Sequence, residues 1–237
     1  PAPEIAGCKP VRGKHPLSPE LSGIIEASCK HIHGKAGWQI DRLKKQMEFI
    51  VEVDKLKKIT RQNYLADGAR KENDAEHSWH LALMALVLCE HVRAEEKPDL
   101  LRVIKMALLH DLVEIDAGDT YCYDEKAGAG KRERELAAAD RLFAILPPDQ
   151  AREFRELWEE FEEQRTPEAR FAAALDRLQP LTLNYIAGGK SWREHGITYS
   201  QVIKRNSSIG ESSPALWKFT LEMIREAVRK GYIKDNS

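Results

Sequence analysis

From Trp38 onward the apolar residues recur three and four positions apart, the spacing that lines one face of an α-helix. Ile40, Leu43, Met47, Ile50 and Val51 give a first helix, Trp38 to Ile59, one apolar stripe against Lys, Arg and Glu. The stretch LKKITRQNYLADGARKEN that follows reads as a polar loop. Asn73-Asp74-Ala75-Glu76 then supplies an N-cap and an acidic first turn. The helix it opens carries Leu81, Leu83, Met84, Val87 and Leu88, which leave little polar face. Lys97-Pro98-Asp99 breaks the chain before a helix from Leu100 to about Ile115. Glu133 to Ile145 is amphipathic and stops at Pro147-Pro148, and Ala151 to Gln164 is strongly acidic with Phe154, Leu157, Trp158 and Phe161 as its buried stripe. Thr166-Pro167-Glu168 caps a helix holding Phe171, Ala174, Leu175, Leu178, Leu181 and Leu183. A polar connector, WREHGITYSQVIKRN, precedes a last helix, Pro214 to Lys230, built around Leu216, Phe219, Met223 and Ile224. No stretch alternates apolar and polar residues between turn signals, so no strand is predicted. The expected fold is all-α, a bundle of about seven to nine helices.

Residues 1–37 differ from the rest: they are rich in proline and poor in periodic apolar positions, and read as an N-terminal arm. Within the arm, Ser18-Pro19-Glu20 opens a short helix through Ile24, Ile25 and Cys29. His31 and His33, two apart, diverge on a helix and are expected at the surface. The 37 basic and 38 acidic residues nearly cancel, so no global field favours nucleic acid or an anionic membrane as a partner. Cys8, Cys29, Cys89 and Cys122 show no CxxC spacing, which fits reduced thiols in a cytoplasmic protein better than a disulfide framework. No apolar stretch approaches the ~20 residues that a membrane span needs.

Chemistry concentrates in Ile104 to Thr120, IKMALLHDLVEIDAGDT. An apolar run carries His110 and Asp111 side by side into an interior position, with Glu114 one turn later and Asp119 just past Gly118. Burying an imidazole beside a carboxylate costs several kcal/mol unless each finds a partner, and a metal ion is the simplest partner. The alternative is a helix end whose polar residues face water, which Leu112, Val113 and Ile115 oppose. Arg61, Arg70 and Lys71 crowd the loop before the second helix. His77 and His80 follow in that helix, where a histidine is more often a structural hydrogen-bonding group than a ligand.

Three segments carry a family pattern: AEHSWH, then LLHDLVEIDAGD, then ALDRLQP. Their order, H…HD…D, resembles the HD-domain metal-dependent phosphohydrolase superfamily, and in particular its 5′-deoxynucleotidase-like branch, over about residues 38 to 189. The resemblance implies an HD-domain helical bundle over 38–237, commonly a homodimer, that removes phosphate from nucleoside 5′-monophosphates with metal-activated water. It implies metal ligation by His77, His110, Asp111 and Asp176, which suit a divalent ion such as Mn, Co, Fe, Ni, Zn or Mg. It makes Glu114 the general acid/base and Asp119 its companion at the substrate; Arg61 meets the phosphate and Thr120 touches the nucleotide. The chain departs from the branch at Gln62, where the deoxynucleotidases carry a tryptophan associated with excluding the ribose 2′-hydroxyl. Strict deoxyribose selectivity is therefore not expected.

Two other readings stand beside the nucleotidase. An HD-type nucleoside triphosphate or alarmone hydrolase needs an enlarged pocket, and a di-iron oxygenase needs further histidines, of which His80 and His91 are nearby in sequence. A non-enzymatic, metal-stapled nucleotide sensor needs neither Glu114 nor Asp119, so their presence argues against it. Lys190, Arg193, His195 and Lys204 are candidates for a substrate lid, against the simpler reading of a polar connector.

Overall fold

The computed structural model describes residues 23–24, 35–123 and 130–236. Nearly all of the arm expected over residues 1–37, with His31 and His33, lies outside the described residues. Helix α1 (Lys35–Val53) passes into a 3-10 turn, Asp54–Lys58. Strand β1 (Thr60–Tyr64) then pairs antiparallel with β2 (Lys71–Asn73). Helix α2 (Asp74–Leu88) follows directly, capped by a reciprocal Asn73–Glu76 box. Helix α3 (Leu100–Leu109) is capped by Asp99, tightens into a 3-10 turn at His110–Val113, and ends in the single turn α4 (Glu114–Ala117). Helices α5 (Lys131–Phe143), α6 (Pro148–Glu163) and α7 (Pro167–Ile186) complete the main bundle. Short helices α8 (Lys190–Glu194), α9 (Tyr199–Asn206) and α10 (Ile209–Ser212) lead to α11 (Pro214–Arg229).

The all-α expectation holds, with the small sheet as its exception. Residues 60–64 and 71–73, read as loop, form strands because polar side chains rather than an apolar face pin them. Asn63 Nδ2 donates to Glu72 Oε2 at 2.8 Å and Lys71 Nζ donates to Gln62 Oε1 at 2.7 Å. Alternation of apolar residues is the usual strand signal, and a polar two-stranded ribbon does not carry it.

The first helix also turns a different face inward than its apolar stripe suggests. Leu43 and Ile50 are 51% and 58% exposed, whereas Phe49 is 5% exposed. Phe49 sits edge-on to Phe154, with ring centroids 5.7 Å apart. Glu52, one turn on, accepts ion pairs from Arg141 at 2.9 Å and Lys55 at 2.8 Å. An aromatic contact and a charge pair with α5 therefore set the helix rotation.

Helix α7 is the axis of the molecule and packs against α2, α3, α6 and the C-terminal helices. Its small residues Ala172, Ala173 and Ala174 are buried and let those neighbours approach closely. Pro180 lies inside α7 and removes the amide that would bond the Asp176 carbonyl. Before it, Phe171, Leu175 and Leu178 join the main core with Leu81, Met106, Leu142 and Trp158; after it, Leu181 joins a second core with Trp192, Val202 and Ile224. Residues 192–206, read as a polar connector, thus wall that second core, since Trp192, Ile197 and Val202 point inward. Among the described residues, no helix is long and apolar enough to cross a membrane.

The rotation of α1 makes a direct test. Phe49→Ala is expected to lower unfolding stability by about 3–5 kcal/mol, and Ile50→Gln by roughly 0.5 kcal/mol or less, in denaturant titrations. Equal losses would place the buried face where the apolar stripe predicts it.

Candidate metal centre

His77 stands in the first turn of α2 and is fully buried. Its Nε2 lies 3.0 Å from Asp176 Oδ1 and 3.9 Å from Asp111 Oδ2. Its Nδ1 lies 3.0 Å from Gln179 Oε1. Gln179 Nε2 donates to Glu72 Oε1 at 2.6 Å, which turns the amide oxygen toward the imidazole. That oxygen can only accept, so Nδ1 carries a proton and Nε2 is the nitrogen left to face the carboxylates.

His110 closes the other side. Its Nδ1 donates to Ala107 O at 3.0 Å, and its Nε2 sits 3.1 Å from Asp111 Oδ1 and 3.7 Å from Asp176 Oδ1. That Nε2 is buried and has no hydrogen-bond partner. The two imidazole centroids are 5.5 Å apart. His77, His110 and Asp111 each offer a ligand atom within 4.8 Å of the others. A buried, unsatisfied imidazole nitrogen facing two carboxylates is the donor set of a divalent ion, and the residues fit one.

A second group of carboxylates adjoins the first. Asp74 and Glu114 are buried, and each has an oxygen within 4.8 Å of the other and of Asp111. Arg61 reaches in from β1 and bridges the two groups, with Nη1 2.6 Å from Asp111 Oδ2 and 3.3 Å from Asp74 Oδ1, and Nη2 3.9 Å from Asp176 Oδ1. Cations are unevenly shared, and the pKa values diverge accordingly. Burial pushes the Asp111 carboxyl up, but His110 and Arg61 outweigh it and hold it well below the carboxylate range. Asp176 is likewise held well below that range, with burial opposed by the facing His110 and His77 imidazoles. Burial and then Asp111, Asp74 and Asp119 push Glu114 well above its ordinary value. Burial and Asp111 raise Asp74 to about 7. Burial lowers the His110 imidazole, but Asp111 and Asp176 reverse this and lift it to about 10.

The centre opens into a cavity of about 430 Å³, within the range of small-molecule sites. Gln62, Asp119 and Thr120 line it together with Arg61, His110, Asp111, Glu114 and Asp176, whereas His77 is fully buried and is not part of the lining. Others lie elsewhere. Arg70 pairs with Glu76, and Lys190 sits over the Tyr64 ring, 3.9 Å from its centroid, and donates to Gly68 O. Arg193 bonds the Gly188 carbonyl, and His195 bonds Ser191 O at 2.9 Å. His80 and His91 line a separate, largely apolar cavity with Met84, Leu88 and Phe219, so they do not extend the His77 cluster. Sequence reasoning passed over Glu72, Asp74 and Gln179. Only Gln179 left a signal: a polar residue three after Asp176, on the same helical face, between Leu178 and Leu181.

The profile of the family described as HD domain matches residues 53–217. The chain belongs to the HD-domain family. A solved structure similar to this HD-domain protein is the "Predicted metal-dependent phosphohydrolase" of Magnetospirillum magnetotacticum MS-1, 51% identical, with a TM-score of 0.78, covering 81% of this chain and 96% of that one. The 5′-deoxynucleotidase HDDC2 of Bos taurus is 33% identical over 135 residues, which is 56% of this chain and 63% of the relative. Its counterpart in Homo sapiens is 31% identical over 134 residues, again 56% of this chain and 63% of the relative. The chain therefore spans just under two thirds of the length of the curated relatives it matches. The His/Asp cluster of this family member can bind a metal ion, in keeping with its kinship to metal-dependent phosphohydrolases.

The lifted His110 has a measurable consequence. Near neutral pH its imidazole carries a proton that ligation must displace, so metal binding is expected to release about one proton or more per ion. Affinity then falls as pH falls. Calorimetric titration with Mn in two buffers of different ionisation enthalpy reads the proton count; a count of zero would contradict the raised pKa.

Proposed function

We propose that this HD-domain protein is a metal-dependent phosphohydrolase, with its catalytic domain over 38–237, that removes phosphate from nucleoside 5′-monophosphates, deoxy or ribo. One observation carries the reading: a single cavity joins a metal-fitting His/Asp cluster, a guanidinium and a buried carboxyl of raised pKa. The names of the HDDC2 relatives support nucleotide substrates, and that of the Magnetospirillum protein supports phosphate-ester hydrolysis.

In this reading His77, His110, Asp111 and Asp176 hold the ion, and the Gln179–Glu72 pair orients His77. A divalent ion supplies a water of lowered pKa and positive charge for the phosphate oxygens. Glu114, three residues after Asp111, takes the proton of the attacking water. It returns a proton to the nucleoside oxygen as the P–O bond breaks, leaving nucleoside and inorganic phosphate. Burial and the neighbouring carboxylates raise its pKa well above the ordinary glutamate value, so it holds a proton more readily than a free glutamate does. Arg61 offers its fork to the phosphate, which a lysine would meet only as a point charge. Asp119 and Thr120, which line the cavity, contact the substrate in this reading. Gln62, tethered to Lys71 at 2.7 Å, presents a small amide where the branch carries an indole, which supports acceptance of ribose as well as deoxyribose.

The apolar faces of α2 and α3 support a homodimer. Trp79, Leu83, Leu86 and Val87 form one exposed stripe on α2, and Leu101 and Leu108 are exposed on neighbouring α3. The near-zero net charge argues against nucleic acid or an anionic membrane as partner, and the unpaired Cys89 and Cys122 support a cytoplasmic location.

Phosphate release from a panel of ribo- and deoxynucleotides, mono- to triphosphate, with Mn or Co tests the activity; no turnover of any phosphate ester would overturn it. Glu114→Gln is expected to retain metal and lose about 10²–10⁴-fold in kcat, whereas Asp111→Asn loses the metal itself, read by elemental analysis. A Glu114→Gln enzyme with normal kcat would remove Glu114 from the acid/base role. Val87→Lys is expected to shift the particle from dimer to monomer in sedimentation velocity, and a monomeric parent protein would reject the dimer.

A further inference from the structure

Three arginines and one lysine line the cavity: Arg61, Arg177, Arg205 and Lys131. Three are already engaged. Arg61 pairs with Asp111 and Asp74 through Nη1 while its Nη2 stays 3.9 Å from Asp176, and Lys131 Nζ lies 3.2 Å from Glu135. Arg177 donates to Ala173 O at 3.0 Å and to Gln164 Oε1 at 3.2 Å. Arg205 differs. Its closest carboxylate contact is Nη2 to Asp176 Oδ2 at 3.7 Å, beyond hydrogen-bond range, and among the described residues its fork has no acceptor. Its side chain is 37% exposed.

Arg205 is nevertheless held in place. Helix α9 begins in a Thr198–Gln201 capping box, and Val202 is fully buried in the second core. Asn206, next to Arg205, is buried and donates to Val202 O at 2.8 Å. The helix is thus locked on one side, and Arg205 stands on the cavity side. Asp176 lies between the two guanidiniums: Oδ1 faces the histidines and Arg61 at 3.9 Å, and Oδ2 faces Arg205.

We propose that Arg205 is a substrate-binding residue that grips the phosphate opposite Arg61, so that two arginines from distant parts of the chain clamp one phosphate over Asp176. The proposal rests on the phosphohydrolase reading of this site. A guanidinium with no hydrogen-bond acceptor among the described residues has a bidentate fork to offer, and a phosphate dianion presents matching oxygens. Its position beside one carboxylate of the metal cluster places that fork where a metal-held phosphate presents its outer oxygens. Ordering of α9 by the second core makes the C-terminal helices part of the active site rather than a mere cover.

The test uses the full-length, Mn-loaded protein with inorganic phosphate as the probe, followed by calorimetry, alongside nucleotide kinetics. Arg205→Gln is expected to weaken phosphate binding about 10- to 100-fold and to raise KM for a nucleoside monophosphate by a similar factor, with metal stoichiometry and melting temperature unchanged. Arg205→Lys is expected to recover part of the loss, which also guards against a folding defect in the first variant. Unchanged phosphate affinity in both variants overturns the clamp. Loss of metal together with affinity also overturns it, because Arg205 would then act only by supporting Asp176. Arg205-dependent phosphate binding without turnover of any ester by the parent protein would leave the clamp standing and reject the hydrolase reading instead.

Discussion

The approach of His77 Nε2 to Asp176 Oδ1, 3.0 Å apart and sealed from water on the histidine side, is the contact on which the rest of the structure depends. It joins the first turn of α2 to the middle of α7, across 99 positions of the sequence. Charges at such a depth cost several kcal/mol each unless they are paired and hydrogen-bonded. The surrounding architecture supplies those pairs. The small sheet delivers Asn63 and Glu72 to hold Gln179 and through it His77, and α3 delivers His110 and Asp111 from the opposite side. A ribbon too short to stand alone is justified by what it orients.

Two carboxylate populations coexist within one cavity because the cations are unequally distributed. Asp111 and Asp176 face imidazoles and stay ionised, as ligands require. Glu114, Asp119 and Asp74 share burial and mutual repulsion that Arg61 offsets only in part, and all three are raised. Environment, not residue type, thus separates carboxyls that stay ionised from carboxyls that hold their protons more readily. The division occurs within one short segment, Asp111 to Asp119, because the 3-10 turn and the turn α4 place successive residues in different surroundings.

Pro180 organises the second half of the molecule. By interrupting α7 it lets one helix serve two cores, with Asp176 and Gln179 just before the interruption and Leu181 just after it. The cavity lies where the cores meet, so its walls come from the N-terminal ribbon, the HD segment and α9 together.

Much of this was legible in the sequence. Periodicity predicted the helices from α2 to α7 and α11, since an amphipathic face is a local property that burial must respect. The run from Ile104 to Thr120 announced a buried ionisable pair, and family resemblance brought His77 and Asp176 to it. The rest was decided by tertiary structure. Rotation of α1 followed Phe49 and Glu52 because an aromatic partner on α6 and an arginine on α5 outweigh a longer apolar stripe. The polar ribbon, the Gln179–Glu72 support of His77 and the place of Arg205 beside Asp176 have no local signature, because each joins residues far apart in the chain. The sequence by itself determined which groups must be buried and which elements carry them. Only the fold decided which of those groups meet, because hydrogen bonds and ion pairs act over a few ångströms of space and not over positions in a chain.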